Sequence, residues 1–480
     1  MTTSHFADAA ADLDRPLLWA PLAWLGAGAG GWAERVLLRI GNDGRWAEVT
    51  PDIAQPPADA TVLPGPLVPG LVNAHSHAFQ RAFAGLAERR ESATDDFWSW
   101  RDRMYRVALR ITPEQLRAIA AHLYVELLQG GYTQVCEFHY LQHDADGRAY
   151  ADPLALSWAV ADAAADAGLG LTLMPVLYER AGFTQPALRP DQRRFATSAP
   201  SIWAAAQAIA ASGRALVRPG LAIHSLRAAA PESITSLRRL AEGFDGPLHI
   251  HVAEQTAEVD DCLAATGARP IAWLAQQGLL DPRWHLVHAT HTERAEIDAV
   301  ARSGAGVVLC PSTEANLGDG LCDLTGWLDA GVPLTIGSDS HVTRTWSEEL
   351  RLLDYGQRLL LRQRNVAAAP RADCPSTAQR LFSRALQGSA AACGESRWGL
   401  QAGARADALV LDTRDASLRG IPSSRSMDAL VFSSPAQHWR DVMVAGRWVV
   451  RDHRHLHAGA LAQRFEAAMN ALWAESRAAQ

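Results

Sequence analysis

The chain is 480 residues long, 48% hydrophobic and 20% charged, with a formal net charge of −7, so it can bury a large core and is not disordered by composition. It carries no basic run, which argues against nucleic acid as a partner. All 45 basic side chains are arginine, which rules out a pyridoxal-phosphate Schiff base, a P-loop and a metal pair bridged by a modified lysine.

The first apolar stretch, "PLLWAPLAWLGAGAGGWA" (16–33), is uncharged but holds two prolines and a Gly-Ala-Gly-Ala-Gly-Gly run. Asp8, Asp12 and Asp14 precede it where a signal peptide would be basic. It reads as short strands and a turn, with no membrane partner. The six cysteines are scattered with no CxxC pair, which fits a reducing, cytoplasmic setting. Residues 17–66 continue with strand-like pieces such as "RVLLRIGNDGRWAEV", turning at Asn42-Asp43-Gly44.

From residue 67 one theme repeats: a short apolar strand ending in polar residues, then an amphipathic helix. The expected strands are "GLVNAHSH", "YTQVCEFHY", "LGLTLMPVLYE", "RPGLAIHSLR", "PLHIHVAEQ", "WHLVHATH", "GAGVVLCPS" and "PLTIGSDSH". Helices are expected between them, as over 112–131, where Thr-Pro-Glu opens and Gly-Gly closes. Eight such units predict an α/β chain built on a (β/α)8 TIM barrel over 67–400; no Gly-rich phosphate loop supports a doubly wound sheet. Residues 401–457 hold "ADALVLD", "DALVF" and "DVMVAGRWVV", read as further strands. They are expected to join 1–66 in one small β-sandwich, with 458–480 as a closing helix.

Active sites of such barrels sit at the C-terminal strand ends, and there the histidines gather. His75 and His77 end the first strand, two residues apart and so on one face. His139 and Tyr140 follow, then His224 and Arg227, then His249, His251 and Glu254, then His285, His288 and His291, and finally Asp339 and His341. His75, His77, His251 and Asp339 supply the N/O ligand set of one divalent metal, which would acidify a bound water. Glu254 could reach a substrate nitrogen or the leaving group, Asp339 could also accept a proton from the water, and His288 could hydrogen-bond the water or a developing oxyanion. His249, His285, His291, His139, His143 and His341 are read as structural. The tract "HRHLH" (453–457) is read as a solvated surface and the cysteines as core.

"PGLVNAHSH", "HIHVAEQ", "LVHATH" and "IGSDS" resemble, in order, the metal-site motifs of the amidohydrolase superfamily. The absence of lysine resembles its mononuclear aminohydrolase branch. Within that branch, "NAHSHAFQRAFAGLAER", "FWSWRDRMY", "EFHYLQH", "HSLRA" and "GSDSHVT" are similar to the formimidoylglutamate deiminases of histidine degradation. The resemblance implies His75, His77, His251 and Asp339 as ligands, with Zn2+ favoured over Fe2+ or Mn2+. It implies Glu254 and His288 as a catalytic pair, and Gln80, Arg101, Tyr140, His224 and Arg227 as substrate contacts. It further implies a homodimer that deiminates N-formimino-L-glutamate to N-formyl-L-glutamate and ammonia. The chemistry agrees, since a dicarboxylate suits fork-shaped arginine donors. Arg101, expected in a loop after the first strand, would close over the pocket with Trp98 and Trp100 excluding water. The rivals are a deaminase of a purine, an S-adenosyl derivative or a triazine, a formimidoylglutamase releasing formamide, and a catalytically dead scaffold.

Overall fold

The apolar runs form eight parallel strands: β1 (Leu71–Ser76), β2 (Tyr132–His139), β3 (Gly170–Leu177), β4 (Leu221–Ile223), β5 (Leu248–Val252), β6 (Trp284–His288), β7 (Gly306–Leu309) and β8 (Leu334–Ile336). Every residue of the eight is buried, the expected state of parallel strands covered on both faces. The computed structural model describes residues 17–26, 31–90, 95–433 and 439–474. The strands pair in chain order from β1 to β8, and a parallel bridge between Ser76 and Asp339 joins the last to the first. The barrel is thus closed by two residues of the predicted site region.

The barrel floor explains two histidines. The last carbonyls of any helix lack partners within it, and those of helix Thr377–Cys393 are met by side chains of the strands. His249 Nε2 donates to Ala392 O at 2.9 Å, Cys136 Sγ donates to the same oxygen at 3.3 Å, and Thr172 Oγ1 donates to Cys393 O at 2.8 Å. His285 packs beside His249, ring centroids 4.9 Å apart. These side chains anchor the helix end against the barrel strands, and none of them lines the cavity at the C-terminal strand ends.

Helix Pro113–Gln129 begins as its sequence predicts, with Thr112 Oγ1 accepting from Gln115 N and Pro113 in the first turn. Helix Phe97–Ala108 replaces the expected loop around Arg101. Asp96 caps it by accepting from the amides of Trp98 and Ser99.

Both ends of the chain build a second sheet, as expected, whose nine strands among the described residues are joined in one continuous order. It wraps around its own core of Leu18, Val36, Leu38, Trp46, Ala408, Val410 and Met443. Strand Leu67–Val68 is the joint. It runs parallel to Leu17–Trp24 and antiparallel to Ala408–Leu411, two residues before β1 starts. "DALVF" is not a strand but part of helix Ser426–Phe432. Met427, Leu430 and Val431 fall at i, i+3 and i+4, and all are buried, so the helical period outweighs the β-branched ending. Helix Ala458–Leu472 closes the described chain. Its Phe465 stacks on His122 at 4.3 Å, and Trp473 Nε1 donates to Ala82 O at 3.1 Å. In "HRHLH", Arg454, Leu456 and His457 are exposed as expected, but His455 is buried and donates to Ala167 O at 2.8 Å, while the half-buried His453 pairs with Asp412 at 3.0 Å. No helix among the described residues is long and apolar enough to cross a membrane.

Candidate active site

His75 lies fully buried at the end of β1, and period-two geometry turns His77 to the same side. Their Nε2 atoms are 3.1 Å apart, and His251 Nε2, from β5, is 2.9 Å from His75 Nε2. Asp339 Oδ1 stands 3.4 Å from the Nε2 atoms of both His75 and His77. Donor atoms around a tetrahedral ion, each at ~2.0–2.1 Å from it, stand about 3.3 Å from one another. His75, His77 and Asp339 stand at spacings that suit one divalent ion, and His251 meets this group through His75. His75, His77 and Asp339 form one metal-capable group, and His75, His251 and His288 a second that shares His75.

Electrostatics favour the same state. Burial, helped by the charge on His75, pushes His77 down to about 3. Burial and the neighbouring imidazoles hold His251 well below its ordinary value. The neutral imidazole is the form in which a histidine can bind a metal. Burial alone would raise the Asp339 carboxyl, but the hydrogen bond from His75 and the nearby imidazoles hold it below the usual carboxylate range.

The seam is built for close approach. A Cβ at Gly337 would sit 2.6 Å from His75 Cβ and 2.9 Å from His75 N, so only glycine lets β8 end against β1 there. Asp339 N donates to His75 O at 3.0 Å, and Asn73 Oδ1 accepts from Ser338 N at 2.9 Å. Behind the ligands, Ser338 Oγ is 3.0 Å from His341 Nδ1, His341 Nε2 is 3.4 Å from Ser76 Oγ, and Ser76 Oγ donates to Glu137 at 2.6 Å. His341 therefore braces the facing ends of β1 and β8, a structural role. His288, Asp339 and His341 all have left-handed backbones, with φ of 69°, 45° and 65°. Such conformations in non-glycine residues are costly and concentrate at functional sites.

His288 sits beside the cluster, its Nε2 3.6 Å from Glu254 and 3.8 Å from Asp339. Its Nδ1 is 3.3 Å from Glu314, a partner that sequence reasoning missed. Burial opposes a charge on His288, but the carboxylates of Glu254, Asp339 and Glu314 overcome it and hold the imidazole up at about 10. Burial raises Glu254 to about 7, which leaves its carboxyl able to take up or release a proton near neutrality.

One cavity gathers nearly all the predicted residues: His77, Gln80, Arg101, Tyr140, His224, Arg227, His251, Glu254, His288 and Asp339 line it, with His75 buried beneath. Gln80 Nε2 donates to Tyr140 Oη at 3.1 Å, while its buried Oε1 has no partner. Arg101 Nε is likewise buried and unpartnered. The Arg101 and Arg227 guanidiniums lie 4.5 and 5.4 Å from the Trp98 ring. Neither makes an ion pair among the described residues. Phe97, Trp100, Arg101, Met104 and Tyr105 line the cavity from one helix face, at spacings i, i+3, i+4, i+7 and i+8. Outside the cavity, His291 is 2.9 Å from Asp319 O and His143 is 2.8 Å from Ala196 O, and His139 is buried without lining it.

A model of the amidohydrolase family matches residues 67–449, from the joint strand through the C-terminal hairpin. The chain belongs to the amidohydrolase family. Among its relatives, this amidohydrolase is 49% identical over 430 residues to formimidoylglutamate deiminase of Pseudomonas aeruginosa, spanning 88% of this chain and 93% of that protein. It is 30% identical to 5-methylthioadenosine/S-adenosylhomocysteine deaminase of Natronomonas pharaonis, over 83% of this chain and 85% of that one. The crystal structure of an amidohydrolase from Brucella melitensis superposes with a TM-score of 0.89 at 40% identity, covering 95% of this chain and 100% of that one.

Proposed function

We propose that this amidohydrolase hydrolyses N-formimino-L-glutamate to N-formyl-L-glutamate and ammonia. One observation carries the reading: two arginines without carboxylate partners, Arg101 and Arg227, line the cavity that holds the ligand cluster. A ring substrate would leave both guanidiniums desolvated and unpaired, which is costly. A dicarboxylate satisfies them with charge-assisted bonds. The 49% identity to a formimidoylglutamate deiminase supports the same choice.

His75, His77, His251 and Asp339 would hold the divalent ion, for which zinc is the first choice on ligand type. When bound, the metal supplies an acidified water as nucleophile. Arg101 and Arg227 anchor the substrate carboxylates and set the formimino carbon against the cluster. Gln80 Oε1, the unpartnered acceptor, takes an N–H of the formimino group. Asp339 accepts the proton released as water adds to the carbon. His288, held as a cation, donates to the oxygen as it gains charge. Glu254 and Asp339 pass both protons of the water to the imino nitrogen, so its bond to carbon breaks with loss of ammonia while the C=O bond forms. Tyr140 and His224 wall the cavity beside Gln80.

We place the enzyme in the cytoplasm as a homodimer. Six free thiols support a reducing compartment, and Leu359, Leu360 and Leu361, exposed by 81%, 58% and 41%, form an apolar patch that a second copy would cover.

The deciding assay measures ammonia and N-formyl-L-glutamate from the purified, metal-loaded protein given N-formimino-L-glutamate, with guanine and 5-methylthioadenosine as controls. Ammonia from a control alone would overturn the reading, and formamide in place of ammonia would make the enzyme a formimidoylglutamase.

A further inference from the structure

Three residues that the mechanism leaves unused meet on the wall of the cavity. Tyr105 comes from helix Phe97–Ala108, Tyr178 from the end of β3, and Gln192 from the short turn Pro190–Phe195. All three are at least 97% buried, and both tyrosines line the cavity beside Arg101 and Arg227.

Counting hydrogens shows what the cluster is for. Gln192 Oε1 accepts from the backbone N–H of Arg189 at 3.0 Å, and a backbone donor admits only one orientation of the amide. Gln192 Nε2 therefore faces the phenols and donates to Tyr178 Oη at 2.9 Å and Tyr105 Oη at 3.2 Å. Both phenol oxygens are filled as acceptors from one side, and both O–H hydrogens must be donated elsewhere. The two oxygens are 3.4 Å apart, so at most one hydroxyl can donate to the other, over a long distance. At least one O–H is left over, and it has no other acceptor among the described residues. A buried donor kept unsatisfied beside two guanidiniums is placed to meet an anion.

We propose that this leftover hydroxyl donates to a substrate carboxylate, so that Tyr105, Tyr178 and Gln192 form a third arm of carboxylate recognition next to Arg101 and Arg227. The proposal rests on the dicarboxylate reading above and adds to it a neutral donor whose direction Gln192 sets. Such a donor discriminates by geometry where the arginines attract by charge. It also follows that the hydroxyls are redundant: removing either one frees the other from the pair, and only loss of both empties the arm.

The test compares wild type with Tyr105→Phe, Tyr178→Phe and the double variant, changes that keep the rings and their packing. The substrates are N-formimino-L-glutamate and two analogues, each lacking one of its carboxylates. Each single variant should raise KM by no more than about threefold, and the double variant by about 10- to 100-fold, the range for a hydrogen bond to a charged group, with kcat little changed. One analogue, the one lacking the contacted carboxylate, should show no difference between wild type and the double variant. A double-variant KM within about twofold of wild type, or an equal loss on all three compounds, would overturn the proposal. If wild type releases no ammonia from N-formimino-L-glutamate, the activity assignment fails instead. Calorimetric binding of glutarate to wild type and the double variant then still decides the role of the hydroxyls, with about tenfold weaker binding expected in the latter.

Discussion

Glu314 and His288 face each other across 3.3 Å, carboxylate oxygen to Nδ1. Glu314 Oε1 also accepts from Cys310 N at 2.9 Å, so its position is fixed by the strand β7 that precedes it. The contact assigns the Nδ1 hydrogen of His288 to Glu314 and leaves Nε2 facing Glu254 and Asp339. Glu314→Ala should lower kcat by about 10- to 100-fold, the usual effect of removing a group that orients an active-site histidine. Glu314→Gln, which keeps an acceptor, should lose less. Parallel metal analysis should show near-normal content in both; equal activity in all three proteins would remove Glu314 from the machinery.

The ligand set predicts one divalent ion per chain. His251→Ala and Asp339→Ala should each bind the metal more weakly and lose turnover, because each removes one donor of the proposed set. Chelator treatment of wild type should abolish ammonia release, and added Zn2+ should restore it. Metal retained at one equivalent in both variants would show that the ion sits elsewhere.

Arg227→Met removes one fork while keeping bulk against Trp98. It should raise KM for N-formimino-L-glutamate at least tenfold, consistent with about 1.5–3 kcal/mol for hydrogen bonds to charged groups. Arg101→Met should act in the same direction. Steady-state kinetics decide; unchanged KM in both would point to a substrate without carboxylates.

The floor histidines should behave differently from the proposed ligands. His249→Leu removes a donor to the Ala392 carbonyl at the end of helix Thr377–Cys393. It should cost about 1–2 kcal/mol of stability, seen as a lower midpoint in denaturant or heat. Its kcat and metal content should match wild type. Metal loss without destabilisation would mean that His249 has been misplaced.

Gly337→Ala puts a methyl group against the Cβ and backbone of His75. Because both neighbours are backbone-fixed, β8 must shift, and metal content should fall even though no ligand is changed. Normal metal content in a soluble Gly337→Ala protein would show that the seam has slack.

What could be read in advance follows from periodicity. His75 and His77 are legible because a strand repeats every two residues, and Asp339 because parallel barrels place chemistry at strand ends. Glu314 was not legible: a glutamate in the first turn of a helix ordinarily serves the helix dipole, and only the packing of Pro311–Leu317 turns it to His288. Gln192, in "RPDQRRF", looks like a polar loop residue until the phenols it joins are brought from two other elements. The helix carrying Arg101 was within reach, since Phe97, Arg101, Met104 and Ala108 follow a helical repeat that the local charges obscured. His455 was misread because burial by helix Ala155–Ala167 and the edge of the sheet is a long-range fact.

The bridge between Ser76 and Asp339 has a consequence for how the protein matures. The ligands stand on both sides of a seam whose partners, such as Asn73 and Ser338, are 265 residues apart in the chain. No partly built barrel contains the cluster, however many of its strands have paired. Closing so long a loop is a late event in folding. An ion held by these residues would therefore have no complete site on a nascent or half-folded chain, and acquiring it would double as a check that the last strand has found the first.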